Sequence, residues 1–477
     1  MPAEKKAIER YQRIFGAYDI RGVVGEDLDT PGVMAIARAY GDYICPERPG
    51  RFVIGHDGRW SSAAFAEGAS VGLRQSGHKV THIGLASTPL VYWYGAEGSF
   101  DGSITISASH LAPNFNGLKL CASDALPLSD EYGLPDIKDA LRKSPKTSAS
   151  PCNERISYAS PLAEYATQIR RHLRPGRTLR VAVDAGNGMG GLEAEAILAP
   201  FEKIDLWRLN FHPDSKFPVR PSNPLIEGAL DELIGVVKKN SLDFGLAFDG
   251  DADRAVAVDE QGNVVPPDAL GGLIAIHLLE TNRGAGILHD LRVSRALPEL
   301  IKSAGGHPVR SRVGHAFIKR AMREHGAVFA MELSGHYYYA DLHYTDNAPR
   351  TLVELINIVS MQDKPLSELL QPFERYPTSG EINLKVNDRD KTLAELSEQY
   401  KDGHVDHLDG LSVDYPDWWF NVRSSHTEPL IRINIGASSQ ELLKDKQQAL
   451  LGEIASINEG LNHKITTKAD VTNAKAV

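Results

Sequence analysis

Three aspartates in the segment FDGDADR have the residue type and spacing of a metal site. Asp249, Asp251 and Asp253 alternate with small residues, and three carboxylates this close repel one another unless a cation lies among them. Hard oxygen ligands of this kind suit Mg²⁺. With Glu260 at the twelfth position the run also has EF-hand spacing, but Arg254 stands sixth, where the calcium loop requires glycine. We therefore predict a strand-end magnesium site with Arg254 free to hold an anion; a solvated acidic turn is the alternative.

A second candidate is the serine-rich segment SITISASHLAPNFNGLKL. It delivers Ser107, Ser109 and His110 from a predicted strand into a loop that leads to Lys119. A serine nucleophile acts either in hydrolysis or as a phosphoryl carrier, and the hydrolase elbow G-x-S-x-G is absent. Because neighbouring residues on a strand point to opposite faces, we expect His110 to point away from the serine. A strand end that is merely rich in serine is the alternative.

Two further segments carry polar groups that suit sugar hydroxyls and phosphate. In MELSGH, Glu332, Ser334 and His336 alternate, which would place all three on one side of an extended loop. In FNVRSSHTEPLIRIN, a guanidinium, hydroxyls and backbone N–H groups give the chemistry of a phosphate cradle. The candidate side chains there are Arg423, Ser424, Ser425, His426, Thr427 and, just beyond, Arg432. An exposed hairpin is the alternative for each segment.

A glycine motif points to a different class of protein. Gly186, Gly188 and Gly191 match G-x-G-x-x-G between a predicted strand and helix, and Asp205 follows 19 residues after the first glycine. This is the dinucleotide fingerprint, and it favours an NAD(P)-dependent oxidoreductase. That interpretation leaves FDGDADR and the Arg423 segment without a role, and a tight strand-to-helix turn requires glycines equally.

These segments need elements to position them, and the chain contains a unit that recurs three times. Apolar strands end at Asp57, Asp184 and Asp290, which are 127 and 106 residues apart. Each is followed by helical sequence and by a second strand that runs into one of the polar segments SITISASH, DFGLAFDGDADR and AVFAMELSGH. Strands that alternate with helices predict α/β layers with substantially parallel sheets, in which ligands bind beyond the carboxyl ends of strands.

The last hundred or so residues have another pattern. EINLKV, LSVDY, WWFNVRSS and LIRINIGA are strand-like, and ELLKDKQQALLGEIASI has helical spacing. We predict three similar mixed α/β domains and a C-terminal α+β domain with an antiparallel sheet, all around one central cleft. Ser- and Pro-containing stretches mark linkers. The predicted domains are 1–152 with the serine segment, 153–260 with the metal segment, 261–372 with the sugar segment, and 373–477 with the phosphate segment.

Composition excludes several classes. The 477 residues carry 52 basic and 62 acidic side chains, a net charge of −10, which argues against a broad nucleic-acid surface. No apolar run has the length of a membrane helix, and the N-terminal segment lacks the apolar core of a secretory signal. Three widely spaced cysteines argue against disulfides and indicate a cytoplasmic location.

The four polar segments, in this order and one per domain, resemble the α-D-phosphohexomutases. That family has a phosphoserine loop ending in N-G-x-K, a metal loop D-G-D-x-D-R, a sugar loop G-E-x-S-G-H and a phosphate loop R-x-S-x-T-x-P-x-x-R. The chain has SASHLAPNFNGLK, DGDADR, MELSGH and RSSHTEPLIR, and its AYDIRG also fits. VGHAFIKRAM and FNVRSSHTEP are most similar to bacterial phosphomannomutases.

The resemblance implies a role for each candidate. Ser109 would be phosphorylated, and its phosphate would join Asp249, Asp251 and Asp253 as a ligand of Mg²⁺. Lys119 and His336 would transfer protons or steady phosphate, and Glu332 and Ser334 would hold sugar hydroxyls. Arg21 and Arg254 would neutralise the transferring phosphate. The remaining implied substrate-binding residues are Tyr18, Arg312, Arg423, Ser425, His426, Thr427 and Arg432.

The implied activity is interconversion of mannose 6-phosphate and mannose 1-phosphate, and of glucose phosphates as a further option, through phosphoserine and a hexose 1,6-bisphosphate that also serves as activator. Phosphoglucomutase and phosphoglucosamine mutase are the nearer alternatives, and a non-catalytic sugar-phosphate sensor is a remote one. The expected partners are small hexose phosphates, with no membrane or nucleic acid, and the expected state is a monomer or small homo-oligomer. The chain departs from the family pattern at Leu111, Ala112, Met331, Asn347 and His426.

Overall fold

The computed structural model describes residues 2–142, 152, 154–424, 430–458 and 466–467. Within this part of the chain, no helix is both long enough and apolar enough to cross a membrane.

The first domain is a six-stranded sheet with helices on its faces. Its helices are α1 (Pro2–Gln12), α2 (Thr30–Ile44), α3 (Ser62–Gln75), α4 (Thr88–Glu97) and α5 (Leu134–Ala140). Its strands are β1 (Ile20–Val23), β2 (Arg51–His56), β3 (Lys79–Leu85), β4 (Gly102–Ile106), β5 (Phe115–Ala122) and β6 (Ser157–Tyr158), in the order β1-β5-β4-β2-β3-β6.

The second and third domains follow with smaller sheets. The second contains α6 (Leu162–Arg170), β7 (Leu179–Asp184), α7 (Gly190–Leu198), β8 (Ile204–Leu209), α8 (Asp231–Asn240), β9 (Phe244–Phe248) and β10 (Ala255–Asp259). The third contains α9 (Pro267–Thr281), β11 (Gly286–Asp290), α10 (Ala296–Ser303), β12 (His307–Ser311), α11 (His315–His325), β13 (Ala327–Met331), β14 (Tyr337–Tyr339), β15 (Thr345–Asp346), α12 (Ala348–Met361) and α13 (Leu366–Leu370). The sheet orders are β10-β9-β7-β8 and β12-β11-β13-β14-β15.

The three sheets share one topology. In each, the strand that ends in or just before an aspartate (β2, β7 or β11) lies between two parallel neighbours. One of these parallel neighbours (β4, β9 or β13) pairs on its other side with an antiparallel strand, which is β5, β10 or β14. The polar segments connect β4 to β5, β9 to β10 and β13 to β14, so each lies at the carboxyl end of a parallel strand. The prediction of three similar mixed α/β domains is confirmed.

The C-terminal domain has a different sheet, whose paired strands are all antiparallel. It contains β16 (Ile382–Lys385), α14 (Arg389–Gln399), β17 (His404–Asp406), β18 (Leu411–Asp414), β19 (Trp418–Ser424), β20 (Leu430–Ala437), α15 (Gln440–Ile457) and β21 (Thr466–Thr467). The sheet order is β17-β18-β19-β20-β16-β21. The predicted α+β domain with an antiparallel sheet is thus confirmed.

Local sequence explains where several helices begin. Asp29, Ser87 and Asn347 each cap a helix by accepting a hydrogen bond from the backbone N–H three residues later, and each is followed two residues on by proline. Proline near the helix start loses no hydrogen bond and has a φ suited to the helix. The cap accounts for Asn347, which departs from the family pattern: its Oδ1 accepts from the Arg350 N–H at 2.8 Å.

The first three domains pack as one body, whereas the last has its own core. One apolar cluster joins residues of all three, for example Val53, Val181 and Phe329. A separate cluster lies entirely within residues 382–454. Polar contacts attach the last domain, such as Arg295 to Asp414 at 3.2 Å. Polar interfaces of this kind permit relative domain motion.

A buried carboxylate lies where α7 meets the first domain. The side chain of Glu193 is 2% exposed, and burial raises its pKa to about 8. The carboxyl is therefore largely protonated near neutral pH in the folded chain, whereas the unfolded chain ionises it near pH 4.5. Between these values the folded state binds more protons, so stability falls as pH rises.

We predict that Glu193→Gln removes this loss. The free energy of unfolding of the variant should exceed that of the wild type increasingly from pH 5 to pH 8, by an amount on the order of a few kcal/mol at pH 8. Urea unfolding at both pH values measures it. Glu195→Gln, on the same helix but exposed and paired with Arg208, is the matched control and should show no such gain. Parallel pH profiles for wild type and Glu193→Gln would contradict the prediction.

Candidate active site

A cleft with a volume of about 1060 Å³ lies where the domains meet. Its lining includes most of the residues singled out in the sequence, brought together from the first, second, third and last domains. They are Tyr18, Arg21, Lys119, Arg254, Asp253, Glu332, Ser334, His336, Arg423 and Arg432. Three further predicted residues contact the lining residues and are at most 1% exposed: Ser109, Asp249 and Asp251.

The metal segment forms the tight connection between β9 and β10. Asp249 Oδ1 accepts from the backbone N–H groups of Asp253 and Arg254, at 3.1 and 3.2 Å. Ala252 has a φ of +59°, which closes the turn. As a result, one carboxylate oxygen from each of Asp249, Asp251 and Asp253 lies within 4.8 Å of the others. The acidic cluster is buried and is not a solvated turn.

The serine loop places one hydroxyl on this cluster. Ser109 Oγ donates to Asp249 Oδ2 at 2.8 Å, and its backbone N–H donates to Ser107 Oγ. Ser109 has a φ of +52°, so the chain is no longer a strand at this residue. For that reason the prediction for His110 is wrong: its Nδ1 lies 3.2 Å from Ser109 Oγ. Ser107 Oγ thus orients the loop, and the Ser109 hydroxyl faces the acidic cluster.

One guanidinium holds the serine loop in this conformation. Arg59 is buried and paired with Asp57 at 3.0 Å. Its Nη1 and Nη2 atoms donate to four loop carbonyls, at 2.6 to 3.0 Å. The acceptors are the carbonyl oxygens of Ser109, Leu111, Ala112 and Phe115. Leu111 and Ala112 are bound through their backbones, which explains how this loop tolerates side chains unusual for the family.

A lysine from the first domain balances part of the acidic charge. Lys119 Nζ lies 2.7 Å from Asp251 Oδ2 and 2.5 Å from Asp253 Oδ2. Burial disfavours the charged ammonium, but the two carboxylates outweigh it and raise the pKa of Lys119. Burial and the neighbouring carboxylates of Asp253 and Asp251 raise the pKa of Asp249. One lysine therefore does not satisfy all three aspartates.

The remaining oxygen atoms fit a hard divalent cation. Oδ1 of Asp251 is buried without a hydrogen-bond partner in the described part of the chain, and Oδ1 of Asp253 lies 3.5 Å from His336 Nε2. Unpaired buried carboxylate oxygens are costly. An all-oxygen donor set on one side of the cluster, next to the Ser109 hydroxyl, is the ligand type that Mg²⁺ prefers.

The sugar segment is a turn, not an extended loop, but it brings the three predicted side chains together. Gly335 has a φ of +85°, and the Gly335 N–H donates to the Glu332 carbonyl. His336 Nδ1 lies 2.8 Å from Ser334 Oγ and 3.3 Å from Glu332 Oε2. Tyr338 donates to Glu332 from behind.

Charges around this turn set its protonation. Burial and Arg254 oppose the imidazolium, but Asp253 and Glu332 outweigh them and raise the pKa of His336 to about 9. Burial likewise opposes ionisation of Glu332, but His336 and Arg292 lower the pKa of its carboxyl to about 2. At neutral pH the cleft thus offers a protonated donor beside a carboxylate acceptor, which suits hydroxyl groups.

The part of the cleft that the third and last domains form is rich in arginine, and we call it the cationic end. Arg423 on β19 and Arg432 on β20 lie there, and Arg292 joins them from the third domain. Sequence reasoning missed Arg292, although D-x-R at Asp290 repeats the D-x-R of Asp57 and Arg59. It also missed His315, which lines the cleft and whose ring contacts Tyr18 edge-on, with centroids 4.6 Å apart.

Four predicted residues are not placed in the cleft. Arg312 forms an ion pair with Glu131 and stacks over the Phe317 ring; Arg292 supplies the cation of this domain instead. Ser425, His426 and Thr427 lie outside the described residues.

The glycine motif packs against the protein itself. A Cβ at Gly186 would lie 2.5 Å from the Arg220 guanidinium carbon, and one at Gly188 would lie 2.6 Å from the Gly250 carbonyl oxygen. Asp205 is a surface residue near Arg180. The glycines therefore make room for neighbouring loops, and the space that a pyrophosphate would need is filled.

Comparison with known proteins agrees with this architecture. The chain matches four family models: "Phosphoglucomutase/phosphomannomutase, alpha/beta/alpha domain I" over residues 12–147, domain II over 158–262, domain III over 266–376 and the C-terminal domain over 381–452. The fold and site thus define a phosphohexomutase, an isomerase that moves a phosphoryl group within a sugar phosphate. The chain belongs to the phosphoglucomutase/phosphomannomutase family.

Individual relatives cover nearly the whole chain. A phosphomannomutase of Methanocaldococcus jannaschii is 35% identical over 94% of this chain and 99% of its own length. A phosphomannomutase of Escherichia coli K12 is 34% identical over 88% of this chain and 94% of its own. The crystal structure of a phosphoglucomutase/phosphomannomutase family protein from Burkholderia thailandensis superposes with a TM-score of 0.87 at 28% identity, covering 94% and 99% of the two chains.

We predict that Arg59→Lys loosens the serine loop without unfolding the domains. An ammonium cannot reach four carbonyls at once, and each buried carbonyl left unpaired costs about 1–3 kcal/mol. Hydrogen exchange should therefore accelerate at residues 109–115, and kcat should fall at least about tenfold with KM little changed. Arg48→Lys, in an exposed pair with Asp101, is the control. Unchanged exchange in the loop would contradict the prediction.

Proposed function

We propose that the protein interconverts mannose 6-phosphate and mannose 1-phosphate, and acts on glucose phosphates as well, through phosphorylated Ser109 and a hexose 1,6-bisphosphate. One observation supports this most. The Ser109 hydroxyl is hydrogen-bonded to Asp249 of the acidic cluster, and arginines line the cationic end of the same cleft. A phosphoryl carrier requires both ends: one to transfer a phosphate and one to hold the other.

The aspartate cluster is the proposed metal site. Asp249, Asp251, Asp253 and an oxygen of phosphorylated Ser109 would hold Mg²⁺. When bound, the ion would neutralise negative charge on the transferring phosphoryl group. The orphaned Asp251 oxygen and the oxygen-only donor set support this assignment.

The chain's own residues supply the rest of the transfer chemistry. Phosphoryl transfer depends on alignment and charge neutralisation more than on covalent participation. Arg21 and Arg254 would neutralise the transferring group from the cleft side. Glu332 and Ser334 would orient the sugar through its hydroxyls. Lys119 and His336, which line the cleft, would exchange the proton of the attacking or leaving hydroxyl or steady the phosphate.

The second half of the reaction requires the intermediate to turn around. The bisphosphate would dissociate from the arginines at the cationic end, rotate, and present its other phosphate to Ser109. Arg423 and Arg432, with Ser425, His426 and Thr427 of the same segment, would hold the non-reacting phosphate in both orientations. Polar attachment of the last domain supports the opening that this rotation needs. A hexose 1,6-bisphosphate would then prime unphosphorylated Ser109.

We propose mannose phosphates as the main substrates because relatives at 34–35% identity carry the name phosphomannomutase. The alternative is a preference for glucose 1-phosphate or for glucosamine 1-phosphate over mannose 1-phosphate, since Glu332 and Ser334 would contact hydroxyls that these sugars share. A comparison of kcat/KM for the three 1-phosphates on one preparation decides among them, and a preference for glucosamine 1-phosphate would overturn the proposed substrate.

Ser109→Ala should lower turnover of mannose 1-phosphate, with a trace of bisphosphate present, by at least about a thousandfold, because it removes the proposed phosphoryl acceptor. Formation of mannose 6-phosphate measures it. Ser107→Ala removes a neighbouring hydroxyl and should retain far more activity. Intact turnover in Ser109→Ala would show that the nucleophile is a different residue.

Asp251→Asn should abolish most turnover while the fold persists, because it removes one oxygen anion from the proposed metal site and leaves the volume unchanged. Calorimetric titration with Mg²⁺ should show binding weakened at least about tenfold. Asp205→Asn makes the same charge change at the surface of the same domain and should bind as the wild type does. Wild-type rates and affinity in Asp251→Asn would remove the metal role.

A further inference from the structure

A carboxylate stands among the arginines at the cationic end of the cleft. Glu381 directly precedes β16. One of its oxygens, Oε2, lies 3.4 Å from Arg292 Nη1 and 3.3 Å from Arg423 Nη2, and Oε1 lies 3.4 Å from Arg432 Nη1. Three guanidiniums from three separate elements thus converge on one side chain.

The charge of this cluster is not balanced. Glu381 faces all three guanidiniums and Asp290 pairs with Arg292 at 2.6 Å, so two carboxylates leave a net charge of +1. Only 7–9% of the Arg292, Arg423 and Glu381 side chains is exposed. Arg423 and Arg432 are also register partners on β19 and β20, and like charges opposite each other destabilise a sheet. Burial, and after it the charges of Arg292 and Arg432, lower the pKa of Arg423.

The excess suits a phosphate dianion. Nε of Arg423 and Nε of Arg432 are buried without a hydrogen-bond partner in the described part of the chain, so donor capacity remains. The contacts to Glu381, at 3.3–3.4 Å, are longer than the 2.7–2.9 Å of a tight charge-assisted hydrogen bond. The carboxylate therefore neutralises the arginines without saturating them.

We propose that Glu381 competes with the substrate's non-reacting phosphate for these three arginines, and so weakens the grip enough for the bisphosphate intermediate to leave it and turn around. This inference rests on the proposed function. Without the Glu381 carboxylate, Asp290 would balance only one of the three guanidinium charges, and the site would bind a phosphate dianion more tightly and release it more slowly. Repulsion between the Glu381 carboxylate and the bound phosphate lowers the affinity, and the carboxylate takes the phosphate's place as it departs.

Glu381→Gln tests the proposal, because glutamine keeps the size and an acceptor oxygen but loses the charge. Calorimetric titration of the full chain with inorganic phosphate, and with mannose 1-phosphate, should give Kd values at least about tenfold lower than those of the wild type. Glu395→Gln makes the same charge change on the exposed face of α14 and should leave both Kd values unchanged. A Kd that is unchanged or higher in Glu381→Gln overturns the proposal.

Kinetics provide a second measurement. In Glu381→Gln, phosphoryl transfer in a single turnover from phosphorylated Ser109 should keep its wild-type rate, whereas steady-state kcat should fall at least about fivefold because release at the arginine end becomes slow. An equal fall in both rates overturns the proposal. So does a variant that fails to fold even when phosphate is added, since a replaceable counter-ion must be replaceable by phosphate. Binding of inorganic phosphate does not depend on turnover, so failure of the mutase assay leaves this test intact.

Discussion

Three carboxylates buried in one turn repel one another, and much of the cleft is arranged around compensating that charge. Asp249, Asp251 and Asp253 lie on the second domain, but Lys119 comes from the first and His336 from the third. Because buried charges are costly unless paired, the acidic turn is stable only when these domains are packed together. The ion pairs that compensate the acidic turn therefore link the three domains and also form part of the site.

The three repeated domains share one local feature, an aspartate–arginine pair at the end of the central strand, and the arginine has a different role in each. At each central strand end an aspartate accepts from the backbone N–H two residues later and pairs with an arginine. In the first domain Arg59 fixes the serine loop. In the second, Arg220 fills the space beside Gly186 and supports the strand before the metal segment. In the third, Arg292 reaches the cleft. Repetition of a stable turn thus supplies both scaffold and site.

The last domain is attached to the chain differently from the other three. Its core is separate, and it contacts the rest of the chain through ion pairs such as that of Arg310 with Asp414. Such contacts are worth little individually and can be exchanged. Arg423 and Arg432 lie on this domain and Arg292 on the third, so an exchange of these polar contacts would change the cationic end of the cleft. Shared apolar packing meanwhile joins the three domains that carry the serine and the acidic cluster.

Sequence alone determined the class of each domain, and it predicted most of the side chains that meet in the cleft. The spacing of the aspartates, the nucleophilic serine segment and the repeated strand ends are local patterns, and local patterns follow from backbone periodicity. The position of His110 was not predictable, because it depends on the left-handed conformation of Ser109, which Arg59 fixes through contacts made 50 residues away in the chain.

Only the tertiary structure decided which side chains meet. Arg292 and Glu381 line the cleft, whereas Arg312 pairs with Glu131 outside it. The D-x-R motif marks Arg292 locally, but no neighbouring residue indicates that Glu381 would meet it. The glycine motif around Gly186 was ambiguous for the same reason, since a tight turn looks alike whether a ligand or another loop approaches it. Contacts between domains arise from packing of buried faces far apart in the sequence, and no local spacing encodes that packing.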